Sequence, residues 1–296
     1  MGKTHLFLGV DEFMSKYKAL RPGEDCLFVN RRFNESVEQF CDDVAKCRFV
    51  AADFDSTLTA NENQWAVIQR MIEKRDPAAV QEIKHNSARY WSGEGRTPLD
   101  LARLLLVPVQ HMFGWPRSVI RTIANELSRR AGAIEVLRSF DRENVAVISF
   151  GVYDTIFEWL KMHASPEEAA AWRIFAMRLA YETNGTDVIA GYDLLTAVTE
   201  DKHYRLGTFL VDRHGNYQET LVLGDSISDA QMMVACKGVI IISPSGDPTR
   251  HAGRLQALPE FVKRASAILV SDSFEAIAQM RRDRPTTPAE ARAFGR

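Results

Sequence analysis

The sequence predicts an α/β protein whose core is a doubly wound, Rossmann-like parallel sheet, with a helical cap domain inserted into it. Short apolar runs alternate with helical segments near the start of the chain and again beyond residue 138, as in successive βαβ units. The residues between these two regions form long polar segments of helical periodicity, without an evident strand. We therefore assign residues 1–60 and 138–282 to the core and residues 61–137 to the cap.

The composition indicates a folded globular protein with a small partner. Of the 296 residues, 46% are hydrophobic and 26% are charged, which argues against a disordered or fibrous chain. The formal net charge of -2 argues against a broad surface for nucleic acid. No stretch reaches the roughly 20 apolar residues of a membrane span, and the first residues lack a secretory pattern. We therefore expect a cytoplasmic protein.

In the first part of the chain, a helix leads into a strand and then into the cap. The segment FNESVEQFCDDVA, residues 33–45, has an Asn/Ser start and apolar positions near helical spacing, and the apolar run RFVAADF follows it. Cap helices are predicted at WAVIQRMIEKR, LDLARLLLVPVQHMF and RSVIRTIANELSRR. The second of these can pack internally or against a second subunit, so the oligomeric state stays open.

In the last part of the chain, predicted strands alternate with predicted helices. Apolar runs occur at VAVISF, WRIFAMRLAYE, LVLGD and GVIIIS, and helices are predicted at TIFEWLKMHA and from Ser228. Parallel strands in such a sheet end at a common edge, where ligands collect. Residues 283–296 are polar and contain proline, and we expect them to form a flexible tail.

The segment VAADFDSTLT places two carboxylates, Asp53 and Asp55, at the end of an apolar strand. Two acids so close together repel each other, and each is driven toward its neutral form unless a cation compensates. Mg²⁺ prefers oxygen ligands and, in phosphoryl-transfer sites, often takes only one or two carboxylates from the protein. The pattern therefore predicts a magnesium site at this strand end.

Two further apolar runs end in polar residues. LVLGDSISD presents Asp225 and Asp229 after a glycine, and VAVISFG ends at Ser149 and Gly151, whose hydroxyl and backbone N–H groups suit phosphate oxygens. A fixed cation against the transferring group is also needed. Lys202 is our candidate for it, and the alternatives are Arg173, Arg178 and Arg205.

Taken in order, DFDST, the strand end at Ser149, the lysine and GDSISD resemble the four motifs of the haloacid dehalogenase superfamily. The resemblance covers nearly the whole chain and implies a Mg²⁺-dependent phosphatase. It implies that Asp53 attacks phosphorus to form an aspartyl-phosphate, and that Asp55 protonates the leaving oxygen and then activates water.

The same resemblance implies the roles of the remaining site residues. Mg²⁺ would be held by the Asp53 carboxylate, the Asp55 backbone carbonyl and Asp225, with Asp229 orienting a bound water or joining the ligands. Thr57, Ser149 and Gly151 would bind phosphate or fix the nucleophile, and Lys202 would offset the negative charge. Asp229 and Thr57 also suit helix caps or turns, which is the structural interpretation of these two residues.

Within the superfamily, SFGVYDTIFEWL and ETNGTDVIAGYDLL are most similar to the cytosolic pyrimidine 5'-nucleotidases. This similarity implies a small phosphorylated metabolite as substrate, with a nucleoside 5'-monophosphate as one candidate. Tyr90 and Trp91 in the predicted cap are candidates to stack on its ring, although aromatic residues on helices more often pack internally. Phosphoserine phosphatases share the DFDST form and a helical cap, and they are the second choice.

Two other functions fit parts of the pattern. A catalytically silent protein that binds phosphate or metal would keep the geometry without turnover, but the complete set of acids speaks against it. A nucleotide-sugar transferase could use Asp53 and Asp55 as a metal-binding DxD motif, but GDSISD and Ser149 would then be unexplained.

Overall fold

In the part of the chain that the structure describes, nine strands form one sheet. The structure is a computed structural model, and it describes residues 3–283 apart from 22, 61–62, 92–97, 184–186, 199–201 and 246–247. In chain order the strands are β1 (Lys3–Phe7), β2 (Cys26–Asn30), β3 (Phe49–Ala52), β4 (Val145–Val152), β5 (Arg173–Thr183), β6 (Asp187–Asp193), β7 (Thr220–Gly224), β8 (Lys237–Ile242) and β9 (Ala267–Val270).

Across the sheet the strand order is β1-β2-β9-β8-β7-β3-β4-β5-β6. Neighbouring strands run parallel, except that β2 is antiparallel to β9 and β6 is antiparallel to β5. The three strands with predicted site residues at their ends, β7, β3 and β4, are therefore adjacent. This arrangement confirms the predicted α/β class and its doubly wound, mostly parallel sheet.

Helices cover the sheet and fill the long connection between β3 and β4. In chain order they are α1 (Val10–Lys18), α2 (Val37–Lys46), α3 (Gln64–Arg75), α4 (Pro77–Trp91), α5 (Pro98–Gln110), α6 (Ser118–Glu126), α7 (Ala133–Arg138), α8 (Tyr153–His163), α9 (Pro166–Ala171), α10 (Lys202–Asp212), α11 (Ile227–Met232), α12 (Pro248–Gln256), α13 (Leu258–Arg264) and α14 (Glu275–Arg282). None of the helices described here is both long enough and apolar enough to cross a bilayer.

The described residues of 61–137 contribute helices α3 to α7 and no strand of the sheet. This agrees with the helical character predicted for that segment, and the boundaries of the two domains stay a prediction. Of the predicted tail, residues 283–296, only Asp283 is described, and it caps α14. Residues 284–296 lie outside the described part of the chain.

The core has two apolar layers, one on each face of the sheet, and β3 contributes to both. Its side chains alternate between the two faces of the sheet, so that Val50 and Ala52 pack in one apolar cluster while Phe49 and Ala51 pack in the other. Helices cover both faces, and all four residues are buried. The strand can therefore be continuously apolar up to the point where Asp53 begins the polar segment.

Helix α6 is shorter than its sequence pattern predicts. The helical periodicity of RSVIRTIANELSRR runs to Arg130, but the helix ends at Glu126 and Leu127 is extended. The Leu127 carbonyl accepts a hydrogen bond from the Trp159 indole at 2.8 Å. The following residues pair with the loop after β3, because the Arg130 amide donates to the Leu58 carbonyl at 2.9 Å. Tertiary pairing here overrides local helix propensity.

Arg281 in α14 ties the end of α2 to the rest of the core. Its side chain is buried, and its guanidinium lies over the Phe140 ring, 3.8 Å from the centroid. The last carbonyls of a helix have no partners within the helix, and a buried donor can satisfy them. The Nη1 atom of Arg281 donates to the carbonyls of Val44, Ala45 and Cys47, at the end of α2, at 2.9, 2.7 and 2.8 Å.

We predict that Arg281→Met lowers the free energy of unfolding by at least about 2 kcal/mol, because three buried carbonyls lose this donor and the Val44 carbonyl keeps the Cys47 amide. Urea denaturation measures this loss. Arg282→Met is the matched control, since its side chain is 52% exposed and its change should stay within about 0.5 kcal/mol. Equal effects of the two substitutions would show that Arg281 does not cap α2 in the way described.

Candidate active site

Asp53 lies where β3 ends, and its backbone fixes it against β7. The Asp53 amide donates to the Leu223 carbonyl at 3.0 Å, and Ala52 pairs with Leu223 in the parallel register. Asp225 follows two residues after Leu223, so both carboxylates emerge at the same edge of the sheet. Asp53 is buried, which places its carboxylate inside the protein rather than in free solvent.

The two acidic segments of the sequence come together at this edge. Oxygen atoms of Asp53, Asp225 and Asp229 all lie within 4.8 Å of one another. Carboxylates this close need a compensating positive charge, and a hard divalent cation such as Mg²⁺ prefers such oxygen ligands. The set of donors therefore fits a magnesium ion.

Lys202, at the start of α10, supplies a fixed positive charge to the cluster. Its Nζ atom lies 2.7 Å from Asp53 Oδ1 and 2.6 Å from Asp229 Oδ1, and the side chain is 2% exposed. The three alternative arginines are engaged elsewhere. Arg173 lies over the Phe175 ring, Arg178 lies over the Tyr153 ring, and Arg205 donates to the carbonyls of Leu195 and Ala197.

The electrostatics of this buried cluster favour a charged lysine. Burial alone lowers the pKa of Lys202, but the charges of Asp229 and Asp53 outweigh burial and raise the pKa above its usual value. For Asp53, burial and the two neighbouring carboxylates raise the pKa well above its usual value, although Lys202 acts in the opposite direction. A divalent cation beside Asp53 would favour its ionised form, as Lys202 does.

Asp229 organises the residues around it through both oxygens. Its Oδ2 atom accepts from the Asp225 amide at 3.1 Å and from the Ser226 amide at 2.9 Å, while Oδ1 accepts from Lys202. Together with Ser226 it forms a capping box at the start of α11. The residue therefore caps a helix, as the structural interpretation expected, and also holds the site lysine.

Asp225 divides its two oxygens between a buried arginine and the centre of the cluster. Its Oδ2 atom accepts from Arg254 Nε at 3.2 Å and from the Nη2 atom of the same guanidinium. Its Oδ1 atom lies 3.3 Å from the Thr57 hydroxyl, which is also 3.3 Å from Asp53 Oδ2. Arg254 thus fixes the plane of the Asp225 carboxylate and leaves Oδ1 directed toward Asp53 and Thr57.

Ser149 and Gly151 lie near the end of β4, which neighbours β3 on the side opposite β7. Ala52 pairs with Val147, so Ser149 reaches the same edge as Asp53. The Ser149 hydroxyl is buried and accepts a hydrogen bond from the Gly151 amide at 3.0 Å. The strand is longer than its sequence pattern predicts, because β4 continues through a bulge to Val152.

Asp55 is held by one residue at the start of α3. Gln64 donates to Asp55 Oδ1 from its backbone amide at 2.8 Å and to Oδ2 from Nε2 at 2.9 Å. Burial raises the pKa of Asp55 to about 6, although the two hydrogen bonds from Gln64 act to lower it. A carboxyl group with such a pKa can change its protonation state near neutral pH, as an acid and base catalyst must.

The loop that carries both aspartates is strained at Ser56. This residue has a φ of 63°, in the left-handed region that residues other than glycine seldom adopt. The buried guanidinium of Arg130 binds two consecutive carbonyls of this turn: Nη2 donates to Ser56 at 2.7 Å and Nε donates to Thr57 at 2.8 Å. Arg130 therefore helps to keep Asp53 and Asp55 in place.

Sequence reasoning missed three residues that support the predicted site, Gln64, Arg130 and Arg254. Each is buried although it is strongly polar, and burial is not visible in a sequence. The sequence signal for Gln64 was its position directly after Asn63, a residue type that often caps a helix. The two arginines follow no spacing rule. Tyr90 and Trp91 fall in the last turn of α4, and their side chains lie outside the described part of the structure.

Comparisons with known proteins place this site in a known fold. No family model matches the sequence, and no curated protein matches it. The structure of cytosolic 5'-nucleotidase IIIB bound to cytidine is similar, with a TM-score of 0.60 and 13% identity over 87% of this chain and 93% of that one. A haloacid dehalogenase family hydrolase from Salmonella enterica serovar Typhi has a TM-score of 0.56 and 16% identity over 80% and 72%.

A third similar structure is a substrate-bound phosphoserine phosphatase, with a TM-score of 0.53 and 18% identity over 79% of this chain and 98% of that one. At identities this low, the TM-scores show a common fold. The chemistry depends on the residues of the site itself. The expected resemblance to haloacid dehalogenase hydrolases is confirmed at the level of fold, for both the nucleotidase and the phosphoserine phosphatase.

We predict that Lys202→Met lowers the free energy of unfolding by about 3 kcal/mol in metal-free buffer, because two buried carboxylates lose their partner. Urea denaturation in the presence of a chelator measures this loss. Lys237→Met is the matched control: its ion pair with Asp43 is partly exposed and should contribute about 1 kcal/mol or less. A loss for Lys202→Met no larger than that of the control would contradict the central role of Lys202.

Proposed function

We propose that the protein is a Mg²⁺-dependent phosphomonoester hydrolase that acts on a small phosphorylated metabolite through an aspartyl-phosphate. One observation carries the proposal: Asp53 lies at the meeting point of β7, β3 and β4, 2.7 Å from a buried lysine and next to Asp225. The fold shared with the nucleotidase and the phosphoserine phosphatase supports it.

The first step of this reaction is attack by Asp53 on phosphorus. Lys202 and the divalent cation would together favour the ionised form of Asp53, and Lys202 would neutralise negative charge on the transferring phosphoryl group. The Ser149 hydroxyl lies at the neighbouring strand end and would bind a phosphate oxygen. Formation of an aspartyl-phosphate divides hydrolysis into two displacements, each of which is easier than direct attack by water.

Asp55 would serve both displacements. In its protonated form it donates a proton to the leaving oxygen, and in its ionised form it removes a proton from the water that attacks the aspartyl-phosphate. A pKa of about 6 makes both forms accessible near neutral pH. Its position two residues after the nucleophile would place it beside the phosphoryl group.

The residues that would hold Mg²⁺ are Asp53, Asp225 and the backbone carbonyl of Asp55, with Asp229 fixing their arrangement. When bound, the ion would stabilise the negative charge that builds up on the phosphoryl oxygens. Arg254 would keep one Asp225 oxygen available for it, since the guanidinium binds only the other. Hydrogen-bonded carboxylate ligands of this kind are typical of metal sites.

Aromatic surface near the nucleophile bears on the class of substrate. The Phe150 ring lies 4.7 Å from Lys202 Nζ, and Phe150 and Trp65 pack partly buried against Leu101 and Leu105. Such surface favours a leaving group with a planar ring over the zwitterionic leaving group of phosphoserine. We therefore favour a nucleoside 5'-monophosphate, and a phosphoserine phosphatase-like enzyme is the alternative.

Asp53→Asn should reduce phosphate release to below about one thousandth of the original rate, because the amide cannot attack phosphorus. Hydrolysis of p-nitrophenyl phosphate with Mg²⁺ measures this, and nucleoside monophosphates, phosphoserine and sugar phosphates test the substrate class. Asp43→Asn, at the end of α2, is the control and should keep nearly full activity. Full activity of Asp53→Asn would exclude the proposed nucleophile, and no activity of the original chain on any substrate would favour a silent binding protein.

Chelation of divalent ions should abolish activity, and Mg²⁺ should restore it. In Asp225→Asn the Mg²⁺ concentration for half-maximal activity should rise by at least about tenfold, since a charged ligand becomes a neutral one. A titration of phosphate release against Mg²⁺ measures both effects. Activity that persists in excess chelator would contradict the magnesium assignment.

A further inference from the structure

Gln64 is a buried amide that bridges the two sides of the site. It is the first residue of α3, and three hydrogen bonds define its position. Its backbone amide and its Nε2 atom donate to the two oxygens of Asp55, at 2.8 and 2.9 Å. Its Oε1 atom accepts from the Val152 amide at 2.8 Å, at the end of β4.

The Val152 amide determines which way the side-chain amide of Gln64 faces. A backbone N–H can only donate, so the oxygen of the Gln64 amide must face Val152 and its NH₂ group must face Asp55. A flipped amide would bring two donors together at Val152 and would leave the Asp55 carboxylate opposite an oxygen. Gln64 therefore fits this position in one orientation only.

Gly151 is shaped to accept this side chain. A Cβ atom at position 151 would lie 1.8 Å from Gln64 Nε2, which is far closer than any contact between two such atoms. Because the glycine lacks a side chain, the Gln64 amide can pass over β4 and reach Asp55. The need for glycine here thus has a cause besides phosphate binding.

We propose that Gln64 is a positioning residue that holds the Asp55 carboxyl group toward the leaving oxygen of the substrate. The proposal rests on the function proposed above and adds a residue to it. Two donors from one residue fix both oxygens of Asp55, so the carboxyl plane cannot rotate. Proton transfer requires a donor within hydrogen-bond reach and correctly oriented, and Gln64 supplies this orientation.

The contribution of Gln64 depends on how much the leaving group needs a proton. An alkoxide or phenolate of high basicity leaves only with general acid assistance, whereas p-nitrophenolate leaves without it. The value of kcat/KM covers the steps up to formation of the aspartyl-phosphate, so the later role of Asp55 as a base does not affect it. A comparison of phenyl phosphate with p-nitrophenyl phosphate therefore isolates the positioning effect.

We expect Gln64→Met to lower kcat/KM for phenyl phosphate by about 100-fold and for p-nitrophenyl phosphate by less than about threefold. Methionine has a similar length but donates no hydrogen bond. In an Asp55→Ala background the same substitution should change kcat/KM for phenyl phosphate by less than about twofold, because Gln64 acts through Asp55. Equal losses on both substrates, or a full loss in the Asp55→Ala background, would overturn the proposal.

A second variant tests the geometry without removing the amide. Gly151→Ala should displace the Gln64 amide and produce the same dependence on the leaving group. In a Gln64→Ala background, where the space is free, Gly151→Ala should have a much smaller effect. An effect of Gly151→Ala that is unchanged in that background would show that position 151 acts independently of Gln64, against the proposal.

The proposed function and the positioning role of Gln64 can be overturned separately. Full activity of Asp53→Asn would overturn the proposed function as a whole. If Asp53→Asn is inactive and Asp55→Ala shows the dependence on the leaving group, the function stands. Absence of that dependence in Gln64→Met would then overturn the positioning role alone.

Discussion

The buried contact of Lys202 with Asp53 and Asp229 is the interaction on which the rest of the site depends. It joins the start of α10 to the end of β3 and to the first turn of α11, three separate regions of the chain. Isolated buried charges are too costly to keep in an apolar interior, so each of these residues requires the others. The apolar strands bring the groups together, and the charges determine which arrangement of the loops is stable.

Much of the architecture could be predicted from sequence because its signals are local. Apolar runs that end in Asp53, Asp225 and Ser149 mark central strands, and the order of these motifs predicted one shared edge. The helix containing RSVIRTIANELSRR was predicted too long, because the pairing of residues 127–130 with the loop after β3 is tertiary. The strands β1 and β2 were not singled out, because β1 is largely polar and β2 has no motif at its end.

The supporting residues could not be predicted, because their roles also depend on tertiary contacts. Gln64, Arg130 and Arg254 are long polar side chains, and such residues are usually exposed. Their roles depend on which backbone groups and carboxylates are left without partners after the sheet has formed. Arg130, for example, binds carbonyls of a turn that exists only because Ser56 adopts a left-handed conformation. The spacing of residues in the sequence does not indicate that these carbonyls require a donor.

The position of β9 has a consequence for how the chain folds. Among the described strands, the pair formed by β1 and β2 joins the rest of the sheet through β9, which is far from it in the sequence, with Cys26 opposite Val270. During synthesis β2 therefore lacks this neighbour until β9, more than two hundred residues later in the sequence, has emerged. Contacts between such distant segments slow folding and lengthen exposure to aggregation or chaperone capture. Strands β1 and β2 are thus among the last of the described strands to reach their native neighbours.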